Sequence, residues 1–260
     1  MELTIYQVDA FAERLFEGNP AAVVPLENWL TDDKMQQIAR ENNLSETAFF
    51  VSDGGNFHIR WFTPAAEVKL CGHATLASAH VLFNHLNYAE EEIRFNSLSG
   101  ILKVRRDNDL LIMNFPTSSI KEVKIPENLA EAFPIQPKKC IKGRDDLMLI
   151  FEKEKDIANL NPIYQKLMET ETRGIVITAQ SVKFDFVSRF FAPKVGINED
   201  PVTGSAHTML IPYWAKVLNK NKLTAKQISA RGGILHCTYL GEHVDIGGKA
   251  VTYLTGKITV

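Results

Sequence analysis

One stretch of this chain is written twice. Residues 60–75 read RWFTPAAEVKLCGHAT, and residues 189–206 read RFFAPKVGINEDPVTGSA. Each runs from an arginine through aromatics to a proline, then through a variable stretch to a glycine that opens a helix-like run. Further on, SGILKV at 99–104 is answered by GGILHC at 232–237. The landmark pairs Pro64 and Pro193, Gly72 and Gly204, Gly100 and Gly233 lie 129, 132 and 133 residues apart. An offset that stays nearly constant, in order, over three landmarks marks an internal duplication. It restricts the fold to two similar α+β units, with boundaries expected at 1–117 and 118–248. The stretch 118–146, rich in Lys, Glu and Pro, reads as the connection between them.

Within the first unit, LTIYQVDAF and AAVVPL read as strands around a turn at Glu17-Gly18-Asn19-Pro20. Thr31 is placed to cap a helix over roughly 32–42, with Asp32 and Asp33 in its first turn and Asn42-Asn43 at its end. TAFFVS, IRWFT, IRFNS, GILKVRR and LLIMNFP follow as strands, interrupted by a helix over Thr75–Leu86. The second unit repeats much of this with GIVITAQ, DFVSRFFAP, a helix over Ser205–Leu218, KQISARG, GILHCTYL and HVDIGG. The two largest helices each follow a Gly-rich turn and are apolar nearly all round. Such helices belong inside a wrap of strands, and the stripe Trp61, Phe62, Phe190 and Phe191 belongs to the core.

Composition narrows the function. A net charge of −2 leaves no basic footprint for nucleic acid or an anionic membrane surface. No run of 18 or more apolar residues suggests a membrane span, and the first residues lack the pattern of a signal peptide. Cys71, Cys140 and Cys237 form no CxxC pair, which fits a cytoplasmic, reduced protein without a structural zinc site. Seven histidines invite a metal reading. His73 with His80 or His207 finds no third ligand at usable spacing and HExxH is absent, so no metal is expected. No GxGxxG follows a strand and VTGSAH is not the GxSxG elbow, so neither a dinucleotide cofactor nor a serine nucleophile is indicated.

GNPAAVV, SETAFF, FTPAAEVKLCGHATLASAHVL and NEDPVTGSAH, in that order and spanning nearly the whole chain, resemble the signatures of the PhzF-like (phenazine-biosynthesis-like) isomerase family, which is related to diaminopimelate epimerase. The resemblance implies two similar domains, each a curved, mostly antiparallel sheet around a central helix, with the active site in the cleft between them. It implies that the last strand, about 249–260, returns to complete the first domain, and that the protein is a homodimer acting without a cofactor in a biosynthetic process. Glu46 matches the family's proton-shuttling glutamate. His73 and Asp200 match further acid–base or substrate-positioning residues, and Ser205 and Asn19 match substrate contacts.

The residues support that chemistry independently. Moving a proton on carbon needs a base in a closed pocket and donors for the anion that forms. SETAFF places Glu46 where a polar loop enters an apolar strand, and partial burial there would raise its pKa; the bland alternative is a solvated loop glutamate. Gly72-His73 and Gly204-Ser205 open two helices, whose free N–H groups can seat a carboxylate if the backbone itself approaches the ligand. The bland alternative is capping and close packing, with Ser205 as the cap of its own helix. In diaminopimelate epimerase and proline racemase two cysteines transfer the proton. Cys71 stands at the first position, but the second falls near Pro201-Val202, where there is no thiol, so a two-thiol epimerase is excluded. Cys71 then reads as a small buried hydrophobe, and Cys140 and Cys237 as structural. The expected function is a cofactor-independent isomerase of a small carboxylated metabolite. The alternatives are a catalytically silent small-molecule-binding protein on the same fold, or an amino-acid epimerase or racemase.

Overall fold

The computed structural model describes residues 1–260, in two compact units: Met1–Asn114 with Gly247–Val260, and Phe115–Ile246. The fold is α+β.

In the first unit, β1 (Glu2–Ala10) and β2 (Asn19–Leu26) are antiparallel. Gly18 turns the chain into β2 at φ +70°, where a Cβ would lie 2.2 Å from the Ala10 carbonyl oxygen, so glycine is required there. Helix α1 (Asp32–Asn42) follows, with Thr31 Oγ1 accepting the Lys34 N–H and Asn43 ending the helix in the left-handed conformation. The crossover through α1 returns β3 (Glu46–Asp53) parallel to β2. β4 (Asn56–Phe62) runs antiparallel to β3, and the short β5 (Glu67–Val68) lies antiparallel on β4. After α2 (Gly72–Asn84), β6 (Glu92–Ser97) pairs parallel with β4. A meander of β7 (Gly100–Asp107) and β8 (Leu110–Pro116) completes the run. The C-terminal strand Ala250–Thr259 lies antiparallel along β1, with a bulge at Gln7/Val8.

Helix α2 starts before the expected Thr75 and stops before Leu86. Every residue from His73 to Ala79 is buried, which leaves it no solvent face. Small side chains let strands approach it. Its hydroxyls are spent on its own backbone: Thr75 Oγ1 donates to the Cys71 carbonyl and Ser78 Oγ to the Ala74 carbonyl, at 2.6 and 2.8 Å.

The second unit opens with β9 (Lys121–Val123), α3 (Glu127–Ala132), β10 (Lys139–Lys142) and β11 (Asp146–Ile150). The expected connection at 118–146 is therefore structured. Leu129, Ala132, Phe133 and Cys140 are buried in this unit's core, and spaced apolar residues among lysines suffice to anchor the segment. Two short helices, α4 (Glu154–Ala158) and α5 (Tyr164–Met168), then lead to β12 (Gly174–Gln180), parallel to β11. β13 (Phe186–Ala192) is antiparallel to β12, and the short β14 (Ile197–Asp200) lies on β13. After α6 (Gly204–Leu218), β15 (Lys222–Gln227) pairs parallel with β13, and β16 (Gly233–Tyr239) antiparallel with β15. β17 (His243–Gly248) carries the chain out of the unit, whose last residue is Ile246. The succession β11, β12, β13, β14, α6, β15, β16 has the same pairings as β2, β3, β4, β5, α2, β6, β7.

Pro212 sits inside α6 and cannot donate to the Thr208 carbonyl one turn back. That carbonyl instead accepts the Ser118 N–H at 3.1 Å, so the proline leaves no orphaned acceptor.

Candidate active site

The first cluster forms where β3 begins beside the start of α2. Glu46 is the first residue of β3, set in register with Ala21 of β2. Its neighbour Thr47 is held by the Asn42 side chain at 3.0 Å, which ties the strand to the end of α1. His73 follows the opening glycine of α2. Glu46 Oε2 and His73 Nε2 are 3.1 Å apart, with side chains 14% and 8% exposed, and neither atom has another hydrogen-bond partner. The other ring nitrogen, Nδ1, lies 3.5 Å from Cys71 Sγ.

Electrostatics here correct one expectation. Burial does work to raise the Glu46 pKa. The charge of His73, with hydrogen bonds to His73 and Cys71, overcomes it, and the carboxyl sits below its usual range rather than above. His73 moves the opposite way. Burial would depress it, but Cys71 and Glu46 hold the imidazole well above its usual value. Burial and Glu46 push the Cys71 thiol up, partly offset by His73. These directions favour a carboxylate at Glu46 and a protonated ring at His73, and work against ionisation of Cys71.

Donor atoms of Glu46, Cys71 and His73 lie within 4.8 Å of one another, a spacing a metal ion can use. Each imidazole nitrogen faces a different neighbour, Nε2 the Glu46 carboxylate and Nδ1 the Cys71 sulfur. Three of the other histidines have partners elsewhere. His207 is wholly buried, with Nδ1 on the Thr203 carbonyl at 2.9 Å, and burial takes its pKa down to about 4. His80 and His85 both meet Thr252 Oγ1, at 2.9 and 2.7 Å.

The second cluster belongs to the second unit. Asp200 ends β14 and accepts the Thr203 hydroxyl, while its own carbonyl accepts Gln227 Nε2 at 2.8 Å. Thr203 occupies the cap position of α6 but spends its hydroxyl on Asp200, so its side chain does not cap the helix. Nor does Ser205, which lies in the first turn with Oγ accepting from Arg173 at 3.0 Å. The start of α2 likewise has no side-chain cap. Asn19 is fully buried at the start of β2.

Arg173 and Asp146 are the residues the sequence reading missed. Asp146 opens β11, is 5% exposed, and binds the Arg173 guanidinium through both carboxylate oxygens. Burial disfavours the arginine's charge; Asp146, with contributions from Asp145 and Asp200, more than restores it. The only hint in the sequence is a charge at the head of each of two apolar runs, DLMLI and RGIVITA.

The two clusters occupy matching places. In the first unit, a residue at the head of the second strand of the parallel pair reaches the residue after the helix-opening glycine: Glu46 to His73, after Gly72. In the second, Arg173, just before β12, reaches Ser205, after Gly204.

An uncharacterized isomerase of Pseudomonas aeruginosa is 52% identical to this chain over 258 residues, covering 99% of both. The crystal structure of a PhzF-family phenazine biosynthesis protein from Enterococcus faecalis matches over the full length of both chains, with a TM-score of 0.98 at 45% identity. A probable proline racemase from Agrobacterium radiobacter, at 10% identity, shares the fold, with a TM-score of 0.66 over 99% of this chain and 92% of its own. The family described as phenazine biosynthesis-like protein matches residues 8–256. With a family match across nearly its whole length, the chain belongs to the phenazine biosynthesis-like (PhzF) family.

Proposed function

We propose that the protein is a cofactor-independent isomerase that moves a proton on a small carboxylated metabolite by acid–base catalysis. Glu46, His73 and Asp200 are its catalytic residues; Asn19, Gly72, Gly204 and Ser205 bind substrate. The observation that carries this reading is the Glu46–His73 pair, nearly buried and with no other partner for the facing atoms. Buried structural ion pairs are usually sealed by further hydrogen bonds; this one keeps polar capacity for something else. The isomerase name borne by the Pseudomonas relative points the same way.

The chemistry follows from the charge states. The ionised Glu46 takes a proton from the carbon between the substrate carboxylate and a C=C bond, and the electron pair left behind spreads over both groups. The His73 N–H and the uncapped N–H groups at the start of α2 stabilise the resulting anion. Glu46 then returns a proton to the far carbon of that C=C bond, and the double bond moves to the position the first proton left. Gly72 fits this role, because a Cβ there would meet nothing nearer than Met113 Cε at 3.9 Å. Packing does not require a glycine at that position, whereas close approach of a ligand to the backbone would.

The test is isotope exchange. A panel of small carboxylated metabolites is incubated with the protein in D₂O and deuterium at carbon is followed by NMR. Exchange by wild type, lost by about 10²–10⁴-fold in Glu46→Gln, supports the proposal. Binding of a panel member without exchange would instead make this a silent binding protein.

A further inference from the structure

We propose that Cys71 is a positioning residue of the proton-transfer pair: its sulfur engages Nδ1 of His73, so that Nε2 faces Glu46 and the ring stays an imidazolium. The inference rests on the reading of Glu46 and His73 as that pair, and it gives a role to a buried thiol that the mechanism otherwise leaves unused.

Three observations converge on it. Cys71 occupies the residue before α2, in extended conformation, two positions from His73, so the backbone itself sets the sulfur against the ring at 3.5 Å. The sulfur sits in a donor-rich place: the Ala74 N–H faces it without closing a helix cap, which favours its use as an acceptor. Both ring nitrogens thus look toward acceptors, Nδ1 toward Sγ and Nε2 toward the Glu46 carboxylate. A neutral imidazole can donate from one nitrogen only, and the imidazolium satisfies both. The ionisable groups facing His73 are Glu46 from β3 and Cys71 from the start of α2. Cys71 is buried and its thiol is pushed up, so it serves as a fixed, protonated neighbour rather than a nucleophile.

Without the sulfur, Nδ1 would face an apolar gap, and a buried charged ring with one unsatisfied N–H is disfavoured. Cys71→Ala should therefore lower the pH at which His73 gives up its proton, and Cys71→Ser, which keeps an acceptor, should restore most of it. The measurement is a titration of the full-length protein with ¹⁵N-labelled histidine, following the His73 ring nitrogens. Wild type should show both nitrogens protonated at neutral pH, with the midpoint falling in Cys71→Ala and recovering in Cys71→Ser. A matching downward move of the alkaline limb of the exchange rate should accompany it. An unchanged His73 midpoint in a folded Cys71→Ala protein, or a wild-type ring already lacking its Nδ1 proton, overturns the proposal. The titration needs no turnover. If Glu46→Gln leaves exchange intact, the reading of the active site fails while the role of Cys71 is still decided by the His73 midpoint. Should Cys71→Ala not fold, wild type and Cys71→Ser decide: a serine variant whose His73 loses the imidazolium, or keeps it with Nδ1 turned from Oγ, refutes the role assigned to the acceptor.

Discussion

Replacing Glu46 with glutamine removes one charge and keeps the shape, so it isolates what the carboxylate does for His73. At 3.1 Å and an effective dielectric of about 20, the attraction between the two charges is about 5 kcal/mol. Both groups give up hydration to meet, and removing one partner from such a pair typically costs about 3–5 kcal/mol. His73 has an escape the typical case lacks, since it can release its proton, so the expected loss is smaller, about 2–3 kcal/mol. Its pH dependence is the diagnostic part. The lowered Glu46 pKa contributes stability that is full above the ordinary value of 4.5 and is lost as pH falls through the folded value. The raised His73 pKa contributes stability that is full below 6.5 and is lost as pH rises through its folded value. The Glu46→Gln penalty should therefore peak between pH 4.5 and 6.5 and shrink on either side. Urea unfolding of wild type and variant across that range measures it. A penalty that is the same at every pH, or absent inside the window, would refute the ion-pair account.

Gly72→Ala should fold normally, with helix propensity adding about 0.5–1 kcal/mol, while the exchange rate drops because the Cβ intrudes where substrate meets backbone; full activity would defeat the close-approach argument. Gly18→Ala should cost about 1–3 kcal/mol, since φ is +70° and the Cβ would sit 2.2 Å from the Ala10 oxygen, read as a lowered melting temperature. Asp146→Asn strips the arginine of its buried partner; with Arg173 42% exposed, solvent softens the loss to about 1–2 kcal/mol, measurable by chemical unfolding. A fully silent Asp146→Asn would mean that the guanidinium is not held by that carboxylate.

Much of the fold is legible because backbone-level signals survive in single residues. The repeated landmarks fall on corresponding elements: Gly72 and Gly204 open α2 and α6, Gly100 and Gly233 open β7 and β16, and Pro64 and Pro193 follow β4 and β13. The burial of the two long helices can be read from their all-round apolarity. The 118–146 stretch misleads because its charges are counted by eye, whereas four well-spaced apolar residues decide its fate. At the site, the identities of Glu46 and His73 can be read from motifs, and the near burial of Glu46 follows from SETAFF. The sign of the Glu46 pKa cannot be read that way, because it depends on a histidine 27 positions later brought within 3.1 Å by the parallel return of β3. Arg173 and Asp146 escape for the same reason, since only the pairing of β11 with β12 aligns their strand ends.

The matching places of Glu46–His73 and Arg173–Ser205 separate address from content. Strand head and post-glycine position dictate which two side chains meet, whatever those side chains are. One address holds an acid against a histidine and the other a base against a hydroxyl, on the same succession of strands. For a protein engineer this is a pair of sockets, each of whose two occupants must be chosen together, because one left without its partner is disfavoured. Differences in chemistry among chains of this fold should be sought first as paired substitutions at those two addresses, before any remodelling of loops.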